Sequence, residues 1–245
     1  MYKRQLHGRL DLEWLENVYG EYHEQRVASI SDAQRAPLPW LRWAGTVYHG
    51  LPRDLYAFHP SGGRYLAFVG RMAPEKRVDR AVEIAVRSGW PLRIAAKIDP
   101  ADGAYFRDCV RPLLDHPLVE YVGELGDRDK QALVGGAAAL LFPIDWPEPF
   151  GLAMIEALAC GTPVIAWRHG SVPEVLEHGV TGWLCDDVAS AVRAVHGLEK
   201  IDRAACRQAF EARFTAERMA RDYLDLYAAA VAADAACTRI GRLAS

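Results

Sequence analysis

Residues 65–96 read YLAFVGRMAPEKRVDRAVEIAVRSGWPLRIAA, and this stretch decides the fold. An apolar run over 65–69 predicts a strand that closes at Gly70, and a helical pattern over 77–88 ends at Gly89, a residue type typical of helix C-termini. A second apolar run over 92–96 predicts the next strand. Strand, helix and strand in this order indicate parallel pairing through a right-handed crossover.

The same alternation continues through most of the chain. Further strands are predicted at 119–122, 139–142 and 164–167. Helices are predicted at 104–114, 127–135, 152–159, 173–177 and 186–200, and residues 203–233 are predicted to form one long helix or a pair of helices. Strands that are apolar throughout indicate a sheet covered on both faces. We therefore predict an α/β fold built on a doubly wound parallel sheet of the Rossmann-like type.

The front of the chain does not follow this pattern. It contains strand-like runs at 26–31 and 45–49 and a helical pattern over 10–23, and it is too short to bury a core alone. We expect residues 6–60 to be the remnant of a second domain with its linker, residues 61–232 to form the main domain, and residues 233–245 to be a loose tail. Residues 1–5, MYKRQ, are what the end of a common transposase sequencing adapter encodes in this frame. We expect them to be an artefact and the gene to continue upstream, with a genuine basic N-terminus as the alternative.

Composition excludes several classes of protein. The 245 residues are 51% hydrophobic and 25% charged, which is typical of a globular chain and excludes a disordered one. The net charge of −3 lacks the basic excess of a nucleic-acid binder. No apolar run approaches the roughly 18 residues of a transmembrane segment. The five cysteines are odd in number and widely spaced, so we expect no structural metal site and a cytoplasmic location.

Candidate binding residues follow the first predicted strand. Because ligands of doubly wound sheets bind at the carboxyl ends of strands, the loop from Gly70 to Lys76 is a candidate site. Gly70 allows close approach of a ligand, and Arg71 and Lys76 place two cations before a helix N-terminus, where anions are favoured. This arrangement suits a diphosphate, although two solvated surface charges would produce the same pattern.

A second candidate loop reads PEPFGLAMIEALACGTP over residues 147–163. Glu148 lies between two prolines that restrict its backbone, and Gly151 opens a predicted helix. Glu156 lies near the start of the same helix. Two carboxylates beside a helix N-terminus suit a nucleotide sugar, which has phosphates in the middle and hydroxyl groups at both ends. The alternative is a helix with one exposed acid and one capping acid.

A third loop, RHGSVPE over residues 168–174, also leads into a predicted helix. Glu174 lies in its first turn, where it could complement the helix dipole or contact a ligand. The residues leave both roles open.

Together these motifs resemble the donor-binding half of a family 4 glycosyltransferase. The motifs are G-R-x(4)-K, E-P-F-G-L-x(3)-E-A-x-A-C-G-T-P-V and G-S-V-P-E-V-x(3)-G-x-T-G, and the similarity covers about residues 65–227. The resemblance implies a GT-B fold with two Rossmann-like domains, and a retaining, metal-independent transfer of a hexosyl group from a nucleoside diphosphate sugar. A UDP-linked donor such as UDP-glucose is the expected case, and the acceptor stays unidentified.

The resemblance also implies roles for single residues. Glu148 would contact the hydroxyls of the transferred sugar, Glu156 the ribose, and Arg71 and Lys76 the diphosphate. Backbone N–H groups of the following helix start would assist, and a loop after the third strand would border the base. The residues at the helix start are Phe150, Gly151 and Leu152, and the residues of the loop are Gly123, Glu124 and Leu125. The family's Gly-x-Gly after the second strand is replaced here by Ala95-Ala96-Lys97, so Lys97 has no assigned role.

The front of the chain fits the same resemblance. Leu6-His7-Gly8 resembles an element of the family's acceptor domain whose histidine reaches the donor sugar, so His7 is a candidate catalytic residue, with an ordinary loop histidine as the alternative. Residues 6–60 would then be the remnant of the N-terminal acceptor domain. The missing part of that domain would be a partner from the same gene, and the chain alone is expected to lack turnover. Two other functions stay open, a non-enzymatic nucleotide-sugar-binding module and a GT-B sugar-nucleotide epimerase or phosphorylase.

Overall fold

The main layer of the molecule is a six-stranded sheet in which all neighbouring strands are parallel. The computed structural model describes residues 13–243, and the side chains of residues 17–233. The strands are β1 Val27–Ser29, β2 Trp43–Thr46, β3 Leu66–Arg71, β4 Leu92–Lys97, β5 Val119–Gly123, β6 Ala139–Phe142, β7 Val164–Trp167 and β8 Gly182–Cys185. Their order across the main sheet is β5-β4-β3-β6-β7-β8, the order of a Rossmann-type sheet. The predicted fold class is confirmed.

Helices cover both faces of this sheet. The described α-helices longer than three residues are α1 Glu13–Glu21, α2 Val78–Ser88, α3 Asp127–Gly136, α4 Leu152–Cys160, α5 Val172–Val175, α6 Val188–His196, α7 Arg203–Arg213 and α8 Ala216–Leu243. Helices α2 and α6 bury their apolar side chains on one face, and α3, α4 and α7 on the other. Each strand of the middle of the sheet is buried on both sides, which explains why β6 and β7 are apolar at every position.

Two elements differ from the sequence-based prediction. The helix predicted over 104–114 is a chain of short turns, because Pro112 has no N–H group to continue an α-helix. The strand β8 was not predicted, since it begins with a glycine, a residue type depleted in strands, and so lacks the unbroken apolar run of β6 and β7. It pairs with β7 from Val164↔Gly182 to Trp167↔Cys185 and forms one edge of the sheet.

The C-terminal region forms a pair of helices. Of the two alternatives predicted over 203–233, one long helix or a pair, the structure has the pair, separated at Phe214 and Thr215. The break has a tertiary cause, because Leu51 donates to Phe214 O at 2.9 Å and accepts from Ala216 N at 2.8 Å. Helix α8 then continues to Leu243, through most of the expected loose tail, as its alanine-rich composition favours. Among the described helices none has the length and apolar character that crossing a membrane requires.

The residues before β3 are joined closely to the main domain. Strands β1 and β2 form a separate parallel pair, while Tyr56 is only 2% exposed and lies in the core with α3, α4 and α7. The hydrophobic core therefore extends beyond the boundary expected at residue 61.

Two arginines of α7 hold this segment in place. Arg203 donates to His59 O at 2.7 Å, to Ala137 O at 3.0 Å, and to Gly135 O and Thr162 Oγ1 at 2.8 Å each. Arg207 donates to the carbonyl groups of Tyr56, Ala159 and Arg53. Because these acceptors come from several elements, each guanidinium fastens the segment before β3 to the helices beneath the sheet.

We expect Arg203→Ala to lower the free energy of unfolding by about 3 kcal/mol, because it leaves several buried acceptors without donors. Arg203→Lys should recover only part of the loss, since an ammonium group cannot reproduce the fork geometry of a guanidinium. Urea denaturation measures both changes, with Arg193→Ala on the exposed surface of α6 as the control. A loss for Arg203→Ala no greater than that of the control would contradict this role.

Candidate functional site

The candidate site lies where β3 and β6 separate. These neighbours pair only at Leu66↔Ala139 and Ala67↔Leu140, whereas β3 and β4 pair along their length to Arg71↔Lys97. A pocket of about 110 Å³ opens between the carboxyl ends of the two strands. Its lining residues are Phe68, Val69, Gly70, Lys76, Phe142, Ile144, Glu148, Gly151, Leu152 and Ala153. The pocket thus brings together five predicted residues of two distant motifs, Gly70 and Lys76 from the first and Glu148, Gly151 and Leu152 from the second.

A buried ion pair forms the polar wall of this pocket. Lys76 Nζ donates to Glu148 Oε2, and Trp146 Nε1 donates to the same oxygen at 2.9 Å. Glu148 is 8% exposed, and Lys76 Nζ also lies 4.9 Å from the centroid of the Trp146 ring. A carboxylate this far from solvent needs such partners, because an isolated buried charge is costly.

The backbone around Glu148 is held by the third loop of the sequence. Ser171 N donates to Glu148 O at 2.9 Å, and Gly170 has a φ of 55°. A Cβ atom at Gly170 would lie 2.3 Å from the carbonyl oxygen of Glu148 and 2.4 Å from its nitrogen. Only glycine permits this approach, so the loop after β7 supports the loop that carries Glu148.

Gly151 shapes the start of α4 at the floor of the pocket. It precedes the helix with a φ of 76°, and Phe150 before it is buried against Phe214 and His49, with ring centroids 6.1 Å and 4.9 Å away. The first N–H groups of a helix have no partner within it. The anchored side chain of Phe150 therefore fixes the direction in which the N-terminus of α4, beginning at Leu152, faces the pocket.

Arg71 is placed differently from Lys76. Its guanidinium pairs with Glu75 and lies 3.7 Å from Asp102, and the side chain is 48% exposed. The structure therefore puts the second predicted cation at the rim, where two carboxylates neutralise it. Asp102 belongs to the short turns after β4 and carries no motif, so sequence reasoning missed it.

Glu156 forms a second polar cluster one turn along α4. Lys130 Nζ on α3 donates to Glu156 Oε1 at 2.8 Å, and the two side chains are only 19% and 13% exposed. Lys130 was not predicted, because it belongs to a polar helix with no recognisable motif. Its pKa is lowered by burial but raised more by the hydrogen bond to Glu156 and its charge, so the net direction is upward.

The loop predicted to border a base lies at the end of β5. Gly123 has a φ of 81°, Glu124 is exposed, and Leu125 packs partly against the core. Lys97 lies between this loop and Arg71, because β4 separates β5 from β3. It is exposed, and no carboxylate of the described part of the chain forms an ion pair with it. Its role stays a prediction.

Glu174 has a structural role that differs from the two roles left open by the sequence. Its two carboxylate oxygens accept from Asp32 N at 2.8 Å and Ala33 N at 2.7 Å, and Tyr48 donates to it at 3.1 Å. Burial and the neighbouring Glu174 raise the pKa of Tyr48. Glu174 therefore joins α5 to the loop between β1 and β2.

His7 and residues 1–5 lie outside the described residues. Among the described side chains, those of residues 17–233, no three histidine, cysteine, aspartate or glutamate groups converge in a cluster that could hold a metal ion.

Comparison with known proteins shows the family of this chain. The family model of glycosyl transferases group 1 matches residues 57–209, a span that contains every described residue of the pocket. The chain is 32% identical over 134 residues, 51% of its length, to N-acetyl-alpha-D-glucosaminyl L-malate synthase of Bacillus anthracis, and covers 35% of that protein. It is 29% identical over 185 residues, 69% of its length, to D-inositol 3-phosphate glycosyltransferase of Mycolicibacterium smegmatis, and covers 41% of it.

A solved structure with a similar fold is also a glycosyltransferase. AviGT4, a glycosyltransferase involved in avilamycin A biosynthesis, superposes with a TM-score of 0.71 at 25% identity. The match covers 84% of this chain and 64% of that one. The chain thus spans 35–41% of the length of the two curated relatives and about two thirds of the solved structure.

Substitution of Gly170 tests the support of the Glu148 loop. We expect Gly170→Ala to cost about 3 kcal/mol of unfolding free energy, because the left-handed backbone is strained and the added Cβ collides with Glu148. Gly179→Ala is the matched control, since its φ is 81° but its Cβ meets nothing within 4 Å, and about 1 kcal/mol is expected there. Equal losses in urea denaturation would show that the contact with Glu148 is unimportant.

Proposed function

The chain belongs to the glycosyl transferases group 1 family, and from that premise we propose that it carries the donor-binding domain of a retaining hexosyltransferase. The donor is a nucleoside diphosphate sugar, and its diphosphate binds where β3 and β6 separate. The observation that carries the proposal is the Lys76–Glu148 pair beside the N-terminus of α4. An ammonium group and a helix N-terminus suit a diphosphate, while a carboxylate suits sugar hydroxyls.

The reaction needs charge stabilisation at one place. When the bond between the anomeric carbon and the diphosphate oxygen breaks, the oxygen keeps the electron pair and the diphosphate gains negative charge. Lys76 and the first N–H groups of α4 are fixed before the ligand arrives, so they stabilise this charge without reorganisation. Arg71 at the rim is the second cation for the diphosphate, and its pairs with Glu75 and Asp102 must rearrange for direct contact.

Glu148 then positions the sugar that is transferred. Its Oε2 accepts from Lys76 and Trp146, which leaves Oε1 for hydroxyl groups of a hexose. In a pocket with little solvent such charged hydrogen bonds are stronger than in water. Glu148 is thus assigned to orient the sugar between the diphosphate and an acceptor.

The remaining donor contacts follow the same crevice. Glu156 binds the ribose, and the loop Gly123–Leu125 borders the base, for which uracil is the proposed case with glucose as the sugar. We propose that Lys76 and Arg71 take the place of a metal ion at the diphosphate. The relatives' names concern different compounds, malate and inositol 3-phosphate, so they do not identify an acceptor for this chain.

The first test separates the sugar from the nucleotide. Glu148→Gln should weaken UDP-glucose binding about tenfold or more, since hydrogen bonds to a charged group are worth roughly 1.5–3 kcal/mol. UDP should bind as well as before or more tightly, because Lys76 loses its counter-charge. Isothermal titration calorimetry measures both ligands, with Glu199→Gln on the surface as the control. Equal weakening of UDP and UDP-glucose would contradict the assignment of Glu148.

The second test concerns the diphosphate. Lys76→Ala should weaken UDP binding strongly, leave uridine binding nearly unchanged, and reduce the salt dependence of UDP binding, because a fixed cation is screened by salt. The exposed Lys200→Ala is the control. If uridine lost as much affinity as UDP, Lys76 would act on another part of the ligand.

A further inference from the structure

We propose that Lys130 is a positioning residue, which holds the carboxylate of Glu156 in the orientation that recognises a ribose ring. The inference rests on the proposed function, in which Glu156 contacts the ribose. It adds a residue that no motif contains, on helix α3, which contributes no residue to the wall of the pocket between β3 and β6.

The contact itself is short and shielded from solvent. Lys130 Nζ donates to Glu156 Oε1 at 2.8 Å, and it also lies 3.2 Å from Asp127 Oδ1, whose side chain is 75% exposed. The side chains of Glu156 and Lys130 are 13% and 19% exposed. The ion pair of Lys130 with Glu156 is therefore better shielded from solvent than its pair with Asp127. An ion pair with little solvent access restricts rotation of its carboxylate far more than an exposed pair does.

A third side chain completes the cluster. Tyr56 comes from the segment before β3, and its ring centroid is 5.8 Å from Lys130 Nζ. Burial and the charge of Glu156 raise the pKa of Tyr56, and the hydrogen bond to Glu156 helps to raise that of Lys130. Lys130 therefore keeps its positive charge beside Glu156 at physiological pH.

This geometry leaves one side of Glu156 for a ligand. Lys130 occupies Oε1, so Oε2 and the remaining lone pairs of the carboxylate are available to the two adjacent hydroxyls of a ribose. Because Lys130 fixes the plane of the carboxylate, the hydroxyls meet a preorganised acceptor. Without Lys130 the carboxylate can turn, and recognition of the hydroxyls weakens more than recognition of the phosphates.

The experiment compares two ligands that differ only in these hydroxyls. Calorimetry gives the dissociation constants of UDP and of 2′,3′-dideoxy-UDP for the 245-residue chain, and their ratio reports ribose recognition. We expect a ratio of about ten or more for the wild type. Lys130→Met, which keeps the length of the side chain, should bring the ratio to within about threefold of one, and Lys130→Arg should restore most of it. Lys200→Met should leave the ratio at the wild-type value.

The ratio separates positioning from stability, since a variant that merely unfolds loses both ligands equally. An unchanged ratio in Lys130→Met, or no recovery in Lys130→Arg, overturns the inference. Glu156→Gln tests the premise, because it should also bring the ratio near one. If Glu156→Gln lowers the ratio and Lys130→Met does not, the inference fails and the proposed function stands. If the wild type does not bind UDP, or does not distinguish the two ligands, the proposed ribose site fails and the inference fails with it.

Discussion

The structure depends on the separation of two neighbouring strands. β3 and β6 share only two register pairs and then diverge, because the chain leaves them toward opposite faces of the sheet. After β3 it enters α2 on one face, and after β6 it enters α4 on the other. The backbone on the two sides of this crevice has no strand partner there, so loops with special residues line it. In open α/β sheets this is where ligands bind.

Charges inside the crevice are paired before any ligand is present. Glu148 has Lys76, Glu156 has Lys130, and Arg71 has Glu75. The first two pairs join segments far apart in sequence, whereas Arg71 and Glu75 lie in one loop. The pairing keeps carboxylates at low solvent exposure without leaving an isolated charge. It also means that Lys76 and the two glutamates proposed to meet a nucleotide sugar are already held in position by the fold, which is the condition for electrostatic stabilisation of a leaving diphosphate.

The sequence predicted what depends on local pattern and missed what depends on tertiary contact. The apolar strands and the glycines around them predicted the sheet, and Lys76 and Glu148 stood in motifs that the fold brings into one pocket. Lys130 and Asp102 lie in segments without a pattern, so only the packing of α3 on α4 and the position of the turns after β4 reveal them. Nothing in the sequence distinguishes Arg203 from other helical arginines, and its role appears only from the acceptors around it, which are carbonyl groups of two segments and the hydroxyl of Thr162. The sequence left Glu174 two possible roles, complementing the helix dipole or contacting a ligand, and its hydrogen bonds from Asp32 N and Ala33 N are a third role that depends on tertiary contact.

A crystal structure of the chain with UDP-glucose tests the central claim most directly. The account predicts the diphosphate within hydrogen-bonding distance, about 3 Å, of Lys76 Nζ and of the first N–H groups of α4. It also predicts the glucose hydroxyls against Glu148 and the ribose against Glu156. A nucleotide bound instead at the amino ends of β3, β4 and β5, in the pocket lined by Arg64, Arg93 and Glu120, would contradict it.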